Sequence, residues 1–519
     1  MKVLLVMASA EYLRYYDETI RLLASRGHDV VLALNQDSGK KLVTLDTLSA
    51  DMAERVSVVG VLPVAAPFWD RVTRGLRGTI DFVRYLDPRL AGARALRARI
   101  KRKVLPHWLH VLDSISTLDA WATRAVIRAL TALERAIPTI PELDALVASI
   151  APDVVLVTPL VDAASRQVDV VKSSQRLGIP VAAGIASWDN LTNKGLLRLT
   201  PDAVIVWNDI QKHEAVSLHG IPSDRVAVTG AQLFDRWFTS TPSQSADEFC
   251  RMAGFSAATP YVLFTGSSGF ISEGRAEIAF VRAWVEALRA SSTRTVSALP
   301  VLVRPHPYNA KAWADADLSD LPNVAIWPRG PYNPVATDSR AAFFDSLYYS
   351  AAVVGINTSA MIEAAIVGRP VLSVRAAEFA GTQDGTLHFH YLLPQNGGFL
   401  RIGQSLDEHI SQLAEVLARP DMAREELSRF VDRFIRPRGR AVAATPVVVE
   451  TLESLAARRI RAHRNLAALP LRPLAWLIAA ICAAAAGGSG GAVARARKAA
   501  RMRFHRTRKR IGTLVHFPR

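Results

Sequence analysis

One acidic residue stands out in the stretch GINTSAMIEAAIVGRP, residues 355–370. Glu363 is the only charged residue between Ser359 and Gly368, and it lies one helical turn beyond Ser359 in an otherwise apolar segment. An ionised carboxylate accepts hydrogen bonds and donates none, so a glutamate placed here can bind the two neighbouring hydroxyls of a ribose. The alternative is a solvated glutamate on a capped core helix. The spacing favours a nucleotide site.

The junction before this glutamate contains Asn357, Thr358 and Ser359. All three are good N-cap residues, because their side-chain oxygens accept from the free amides of a first helical turn. A capping box would place the acid three residues after the cap, and Glu363 does not fit that spacing. A strand, a small polar turn and a helix N-terminus also suit an anion. We therefore expect the three polar residues on the side of the cleft that binds a nucleotide donor.

The loop TGSSGF follows the apolar run YVLF and combines Gly266 with Ser267 and Ser268. Glycine lets the backbone approach a phosphate closely, and the serine hydroxyls can donate to it. The usual dinucleotide and P-loop fingerprints are absent from the sequence. We expect these residues to bind the donor, with an ordinary strand-to-helix turn as the alternative.

Arg304 and His306 belong to the turn RPHP after the run VLV. Prolines on both sides of the histidine remove two amide donors and force an extended path, which exposes the imidazole at the sheet edge. There His306 could bind a diphosphate or transfer a proton, so it is a catalytic candidate beside a donor-binding Arg304. The alternative is a turn histidine bonded to its own loop. The next loop, PRGPYNPVATDS, could wall a base pocket.

The first half of the chain offers one very polar loop, ASWDNLTNKG, after the run IPVAAGI. Functional residues often lie on such loops. Asp189 could be the catalytic base, and Lys194 could meet a negatively charged acceptor or a phosphate, with Trp188 and Asn190 beside them on the acceptor side. The alternative is a network of side-chain turns that only shapes the loop.

A second acceptor-side candidate is the segment SAEYLRYYD, directly after the first apolar run. Its Arg14 and Tyr15 would line the acceptor side if that run is the first strand of a sheet. Ligands of open α/β sheets bind outside the carboxyl ends of the strands.

The elements that must position these residues are predicted by twelve apolar runs that alternate with helical segments. Near-continuous apolar strands between helices indicate parallel, doubly wound sheets. The pattern restarts after a polar break at about 236–259, so we expect two Rossmann-like domains that face a cleft. The expected divisions are an acceptor domain at 1–235 with a helical basic insertion at about 68–150, a nucleotide-donor domain at 236–440, helices at 441–470 and a tail at 471–519.

Composition limits the class of protein. Two cysteines in 519 residues cannot form a disulfide framework, which fits a reducing compartment. The formal net charge of +16 comes almost entirely from residues 455–519, which hold 15 Lys or Arg and no acid. Because the rest of the chain is near neutral, we expect no nucleic-acid partner.

The tail combines an uncharged segment, Leu474 to Ala494, with nine Lys or Arg between Arg495 and Arg510. As a helix, the uncharged segment would be about 31 Å long, close to the bilayer core of about 30 Å, but it is rich in alanine and glycine. A polybasic segment beside an apolar one is typical of attachment to anionic lipid. We expect a cytoplasmic protein bound peripherally to the inner face of the plasma membrane, with residues 89–103 as a second contact. A disordered basic tail or RNA-binding arm is the alternative.

The motifs together resemble GT-B-fold glycosyltransferases of the bacterial surface-polysaccharide type, over roughly residues 1–60 and 150–435. The segments that carry this resemblance are LLASRGHDVVLA, VWNDIQKHEAVSLHGIPSDRVAVTGAQLFD, RPHP and GINTSAMIEAAIVGRPVLSV. The C-terminal motifs also look like those of CDP-glycerol glycerophosphotransferases and, more distantly, of non-hydrolysing UDP-N-acetylglucosamine 2-epimerases.

The resemblance implies that the second domain binds a nucleotide donor and the first domain an acceptor. It also implies that Ser359 and nearby amides hold the donor phosphate, that Glu363 holds the ribose and that His306 faces the diphosphate. It gives no counterpart for the insertion at 68–150 and no catalytic base, so Asp189 rests on its loop alone.

The resulting expectation is a metal-independent glycosyltransferase that uses no cofactor and takes a nucleotide-sugar as substrate. Its acceptor would be a lipid-linked or cell-surface glycan. The sequence contains neither a D-x-D motif at a strand end nor a zinc-ligand spacing. One alternative is a CDP-glycerol-type glycerophosphotransferase, and another is a non-catalytic GT-B scaffold at the membrane. An epimerase is less favoured, because a soluble epimerase has no use for a lipid-directed tail.

Overall fold

The computed structural model describes residues 1–35, 54–256, 258–332, 336–458, 462, 470–475 and 477. The predicted tail anchor, from residue 478 onward, lies outside the described residues. No helix in the described ranges is both long enough and apolar enough to cross a membrane.

The first domain is built on a seven-stranded parallel sheet with the strand order β3-β2-β1-β4-β5-β6-β7. Most of its strands are apolar throughout, because helices cover both faces of a parallel sheet. The strands are β1 (Lys2–Met7), β2 (Asp29–Leu34), β3 (Val56–Val61), β4 (Val154–Thr158), β5 (Val181–Gly184), β6 (Ala203–Val206) and β7 (Val226–Val228). The helices on this sheet are α1 (Leu13–Ser25), α5 (Pro141–Ile150), α6 (Gln167–Leu177), α7 (Asn190–Asn193) and α8 (Asp209–His219).

Between β3 and α5 the chain forms the helical insertion that the sequence predicted. Its helices are α2 (Pro67–Arg84), α3 (Arg94–Val104) and α4 (Ala120–Ala136), with a 3₁₀ segment at His107–Ser114. A buried guanidinium ties the insertion to the domain, since Arg77 Nη2 donates to Glu134 Oε1 at 2.8 Å and to Asp169 Oδ1 at 2.6 Å. A buried charge is tolerated only when it is paired in this way.

The second domain repeats the architecture with a six-stranded parallel sheet in the order β10-β9-β8-β11-β12-β13. Its strands are β8 (Tyr261–Thr265), β9 (Val301–Arg304), β10 (Val324–Ile326), β11 (Ser350–Gly355), β12 (Val371–Val374) and β13 (Arg401–Gly403). Its helices are α9 (Ala246–Ala253), α10 (Gly274–Ala290), α11 (Arg294–Ser297), α12 (Ala310–Ala314), α13 (Thr337–Tyr348), α14 (Ala360–Ile366), α15 (Leu406–Ala418) and α16 (Arg424–Phe430).

The last described helix, α17 (Ala444–Ala456), returns to the first domain. Four apolar residues of this helix pack into the same core as β1 and α1: Val448, Val449, Leu452 and Leu455. The chain therefore crosses between the domains twice, and the two doubly wound sheets face each other as in the GT-B fold. The predicted fold class is confirmed, and each of the twelve predicted strands is present within one or a few residues of its expected bounds.

Candidate functional site

The interdomain cleft lies where the strand order of each sheet reverses. In the first sheet the reversal falls between β1 and β4, and in the second between β8 and β11. Loops diverge at such switch points and leave a crevice for a ligand. The cleft has a volume of about 400 Å³. Among the described residues, its lining consists of four arginines, one histidine and one carboxylate, together with a wall of aromatic rings. The charged lining residues are Arg14, Arg236, Arg304, Arg340, His306 and Glu363.

The one lining carboxylate belongs to Glu363 in the first turn of α14. Burial raises the pKa of Glu363 to about 7, while the guanidinium groups of Arg14 and Arg236 act in the opposite direction. Among the residues that the structure describes, none is hydrogen-bonded to this carboxylate. The oxygens of Glu363 are therefore available to hydroxyl donors from a ligand.

Arg14, Arg236 and Arg340 reach the cleft from three separate segments. Asp17 Oδ2 holds two of them, since Arg340 Nη1 lies 2.8 Å away and Arg236 Nη1 3.4 Å away. Arg14 donates to Tyr15 through Nη2 and lies over the ring of that tyrosine, with 4.5 Å from Cζ to the ring centroid. Guanidinium groups bind phosphate oxygens in pairs of parallel hydrogen bonds, so this cluster suits a diphosphate.

Arg304 at the end of β9 is almost fully buried, at 4% exposure, inside a cage of three aromatic rings. Its Cζ lies 4.9 Å from the ring centroid of Trp327, 5.2 Å from that of Phe343 and 5.7 Å from that of Tyr332. Its Nε and Nη1 have no hydrogen-bond partner. Desolvation lowers the pKa of Arg304 to about 10. The aromatic rings and the hydroxyl of Tyr332 compensate part of this charge. The two donor atoms that have no partner among the described residues suit an anionic ligand at the cleft wall.

His306 lies in the cleft on the turn after β9. Its Nδ1 accepts from the backbone N–H of Tyr308 at 3.1 Å, which leaves the ring proton on Nε2 in the neutral form. Burial lowers the pKa of His306 to about 4, and the charge of Arg14 adds to this effect. At neutral pH the imidazole is therefore a hydrogen-bond donor toward the cleft.

Gly266 lines the cleft beside this histidine, whereas Ser267 and Ser268 do not line it. A Cβ on Gly266 would lie 2.7 Å from the backbone nitrogen of His306, so only glycine allows the two loops to approach. Ser267 is turned inward, where its N–H donates to Glu277 Oε1 at 2.6 Å. Desolvation raises the pKa of Glu277 to about 7. Glu277 therefore stabilises the loop that contains Gly266 and Ser267 through this buried hydrogen bond.

The three polar residues before α14 separate into two groups. Thr358 and Ser359 line the cleft, and Ser359 occupies the N-cap position without a side-chain cap bond. The capping explanation considered from the sequence therefore does not account for Ser359. Asn357 lies behind the cleft, where its Nδ2 donates to the carbonyl of Thr382 at 2.6 Å.

The polar loop after β5 contributes one residue of the predicted set to the cleft, Trp188. Asp189 is turned away and accepts from the side-chain amides of Asn190 at 3.2 Å and Asn193 at 3.0 Å. Burial alone would raise the pKa of Asp189, but the charges of His388 and Lys194 and its hydrogen bonds hold it below the ordinary value. The geometry is that of a loop-shaping network. The catalytic role of Asp189 stays a prediction.

Two further acceptor-side candidates are engaged within the first domain. Asn190 Oδ1 accepts from the backbone N–H groups of Ala186 and Ser187, both at 3.2 Å. Lys194 Nζ donates to Asp162 Oδ1 at 2.8 Å and to the hydroxyl of Tyr12 at 3.0 Å. Neither lines the cleft, whereas Arg14 and Tyr15 do.

Two arginines and several aromatic residues of the cleft lie outside the site residues predicted from the sequence. Arg236 and Trp237 come from the stretch that looked like a polar break, and that stretch forms a 3₁₀ segment at Gln232–Phe238 and the helix α9. Arg340 and Phe343 come from α13. The one local signal was the cluster of aromatic residues in LFDRWF and AAFF, because large aromatic rings in a connecting segment are seldom left exposed.

Neither a family model nor a curated protein matches this sequence. Among solved structures, a UDP-GlcNAc 2-epimerase from Neisseria meningitidis bound to UDP-GlcNAc is similar at 16% identity and a TM-score of 0.48, over 88% of this chain and 100% of that one. A glycosyltransferase from Rickettsia africae is similar at 9% identity and a TM-score of 0.48, over 88% of this chain and 99% of the other. A UDP-GlcNAc 2-epimerase from Methanocaldococcus jannaschii has 12% identity and a TM-score of 0.49, over 87% and 99%. These similarities assign no activity to this chain, whose two-domain GT-B fold is evident from its own strand orders.

Proposed function

We propose that this protein is a glycosyltransferase that binds a nucleotide-sugar in the interdomain cleft and transfers the sugar to a hydroxyl of a glycan acceptor. The observation that carries the proposal is the presence of a carboxylate, Glu363, and a buried guanidinium, Arg304, in one cleft. Among the described residues, none is hydrogen-bonded to Glu363, and Nε and Nη1 of Arg304 have no partner. A ribose supplies hydroxyl donors for the first group, and a diphosphate supplies anionic oxygens for the second.

The aromatic wall provides the third element of nucleotide recognition. Trp237 packs against Phe343 and Phe344, with ring centroids 5.8 Å and 5.5 Å apart, and all three rings line the cleft. Aromatic side chains stack on the flat faces of bases. A nucleoside diphosphate thus matches the cleft in each of its parts: base, ribose and phosphates.

The proposed transfer needs side chains that bind the donor, orient the acceptor or accept a proton. The acceptor hydroxyl oxygen forms a bond to the anomeric carbon, and the bond from that carbon to the β-phosphate oxygen breaks. The bonding electrons leave with the nucleoside diphosphate, and the hydroxyl proton passes to a base. Arg304 and the Nε2–H of His306 would stabilise the negative charge that develops on the leaving diphosphate. Arg14 and Tyr15 would face the acceptor.

The decisive experiment measures thermal shifts of the full chain with CDP, UDP, GDP, dTDP and CMP. Only a ligand that binds the folded state raises the melting temperature by mass action, about 2.7 kcal/mol at one hundred times its Kd. We expect one nucleoside diphosphate to stabilise the wild type and to have little effect on Glu363→Gln. The matched control is Glu378→Gln, an exposed acid of the same domain, which should respond like the wild type.

The identity of the nucleotide separates the candidate activities. UDP, GDP or dTDP would support sugar transfer, and the matching radiolabelled nucleotide-sugar should then pass label to an organic-soluble acceptor in a lipid extract. CDP would instead support transfer of glycerol phosphate. If no nucleotide raised the melting temperature, the proposal would be wrong and a non-catalytic scaffold would take its place.

A further inference from the structure

Three large apolar side chains of the helical insertion are exposed to solvent. Trp108 is 75% exposed, Val111 is 70% exposed and Trp121 is 73% exposed, the highest values among the exposed large hydrophobic residues of the described chain. Single exposed apolar residues are ordinary. Two tryptophans and a valine exposed within fourteen residues of sequence, on one helical insertion, are not, and we call these three side chains the patch.

The segment that carries this patch is firmly attached on its inner side. Leu109 and Leu112 pack against the apolar core of the insertion, so Trp108 and Val111 face outward by the geometry of the turn. Asp113 holds the segment to α3, because its Oδ1 accepts from Arg97 Nε at 3.1 Å and its Oδ2 from Lys101 Nζ at 2.7 Å. The outward position of the aromatic rings is therefore a fixed feature of the fold.

Exposed positive charge surrounds the patch. Arg94, Arg102 and Lys103 on α3 are exposed, as are Arg124 and Arg128 on α4.

The acids on this surface are already engaged. The stretch from residue 88 to 133 contains only two of them, Asp113 and Asp119. The first is paired with α3, and the second caps α4 by accepting from the backbone N–H of Trp121 at 2.9 Å. The stretch itself is thus strongly cationic. From outside it, the carboxylates of Asp87 and Asp162 act on Arg124 and Lys103.

The start of the C-terminal tail rests on the same insertion. Ala475 is buried against Val72, Ala136 and Ile137 in one apolar cluster that also includes Leu471. Leu474 and Leu477 beside it are 47% and 57% exposed. The remaining 42 residues of the sequence, which include the polybasic stretch, therefore continue from this insertion.

We propose that Trp108, Val111 and Trp121, together with Arg102 and Lys103, form a docking surface for an anionic lipid bilayer. Tryptophan lies preferentially at the membrane–water interface, and basic side chains are attracted to an anionic leaflet. The pattern of apolar rings between cations is that of a protein that lies on a membrane. The insertion, for which the resemblance gave no counterpart, thereby gains a role.

The surface also lies beside the acceptor side of the cleft. The charges of Asp162 and Lys194 act on the ammonium group of Lys103, so this group is close to the polar loop after β5. Lys194 in turn contacts Tyr12, near the cleft-lining Arg14. If the proposed transferase function holds, a membrane at this surface would present a lipid-linked acceptor to the first domain.

The test is co-flotation of the full chain with vesicles of phosphatidylcholine alone or with 30% phosphatidylglycerol added, in the absence of nucleotide. We expect binding to the anionic vesicles only. The triple variant Trp108→Ala, Val111→Ala and Trp121→Ala should lose at least about tenfold in vesicle affinity, and so should the pair Arg102→Glu and Lys103→Glu. The matched control replaces Met252 and Met422, exposed apolar residues of the second domain, with alanine and should bind like the wild type.

Because the substituted side chains are exposed, the variants should melt at the wild-type temperature, which a circular dichroism scan checks. Wild-type vesicle affinity in both insertion variants would overturn the proposal and assign membrane binding to the tail alone. A wild-type dimer that the triple variant loses, without vesicle binding, would identify a second copy of the chain as the partner and would also overturn it. Failure of nucleotides to bind would refute the transferase function and leave the vesicle result unaffected.

Discussion

Replacing Glu363 with glutamine is expected to stabilise the protein at pH 8 and to leave its stability at pH 4 unchanged. Burial raises the pKa of Glu363 from an ordinary value of 4.5 to about 7 in the folded state. Between these two values the folded protein holds a proton that the unfolded chain has released, so the free energy of unfolding falls as the pH rises. Glutamine does not ionise and escapes this loss.

The size of the effect follows from the two pKa values. At about 1.36 kcal/mol for each pH unit, the rise from 4.5 to about 7 corresponds to an upper limit of about 3 kcal/mol. The side chain is only partly buried, and solvent screening reduces the expected gain to about 2 kcal/mol. For a domain of roughly 200 residues this is about 4–8 °C in melting temperature.

The assay is thermal unfolding of wild type and Glu363→Gln at pH 4, 6 and 8 without ligand, with Glu378→Gln as the control on an exposed acid. The difference between variant and wild type should grow with pH for Glu363→Gln and stay near zero for the control. A variant that is less stable than wild type at pH 8 would refute the reasoning. It would mean that the attraction of Arg14 and Arg236 exceeds the burial cost and keeps the carboxylate ionised.

Four further outcomes are expected. Binding of a nucleoside diphosphate should release most of one proton from Glu363 at pH 6.5, because two ribose hydroxyls donate more strongly to the ionised carboxylate than to the protonated form. Calorimetry in buffers of different ionisation enthalpy measures this release, and an unchanged proton count in Glu363→Gln would contradict it. Arg304→Leu should raise the free energy of unfolding by roughly 1–3 kcal/mol, because it removes the desolvation cost of a buried guanidinium with two unsatisfied donor atoms. The same variant should weaken nucleotide binding at least about tenfold in the thermal-shift assay. His306→Gln keeps a hydrogen-bond donor and should retain nucleotide affinity within about tenfold, whereas His306→Ala should not; equal losses would point away from the donor role. Gly266→Ala should cost roughly 1–3 kcal/mol in denaturant unfolding, because its Cβ would lie 2.7 Å from a backbone nitrogen.

The fold was predictable because parallel strands are buried on both faces and therefore read as continuous apolar runs. The strand that was missed, β13, is three residues long and begins with Arg401, so it carries no such run. The packing of α17 against the first domain could also not be predicted from the sequence. Its apolar residues predict a helix with a buried face, but nothing local states which of the two cores that face will meet.

The residues of the candidate site also fall into two groups, those that follow from local sequence and those that depend on tertiary packing. Gly266 and His306 lie one and two residues after the ends of β8 and β9, and Glu363 lies in the helix that follows β11. The topology of a doubly wound sheet places such residues at the cleft. Arg236 and Arg340 come from a connecting segment and from a helix on the second domain, and they meet only because Asp17 of the first domain accepts from both. Such a meeting depends on how the domains approach each other, which no local pattern describes.

The electrostatics of the cleft depend on domain approach in the same way. Glu363 belongs to the second domain, while Arg14, whose charge acts on it, belongs to the first. Tyr308 of the second domain donates to Glu11 of the first at 2.7 Å, so the two walls are joined on this side even without a ligand. Opening the cleft would return water to Glu363 and let its pKa fall toward the ordinary value. The closed form therefore takes up a proton, and a ligand whose hydroxyls donate to Glu363 displaces it. Domain closure, protonation of Glu363 and ligand binding are thus linked through one carboxylate.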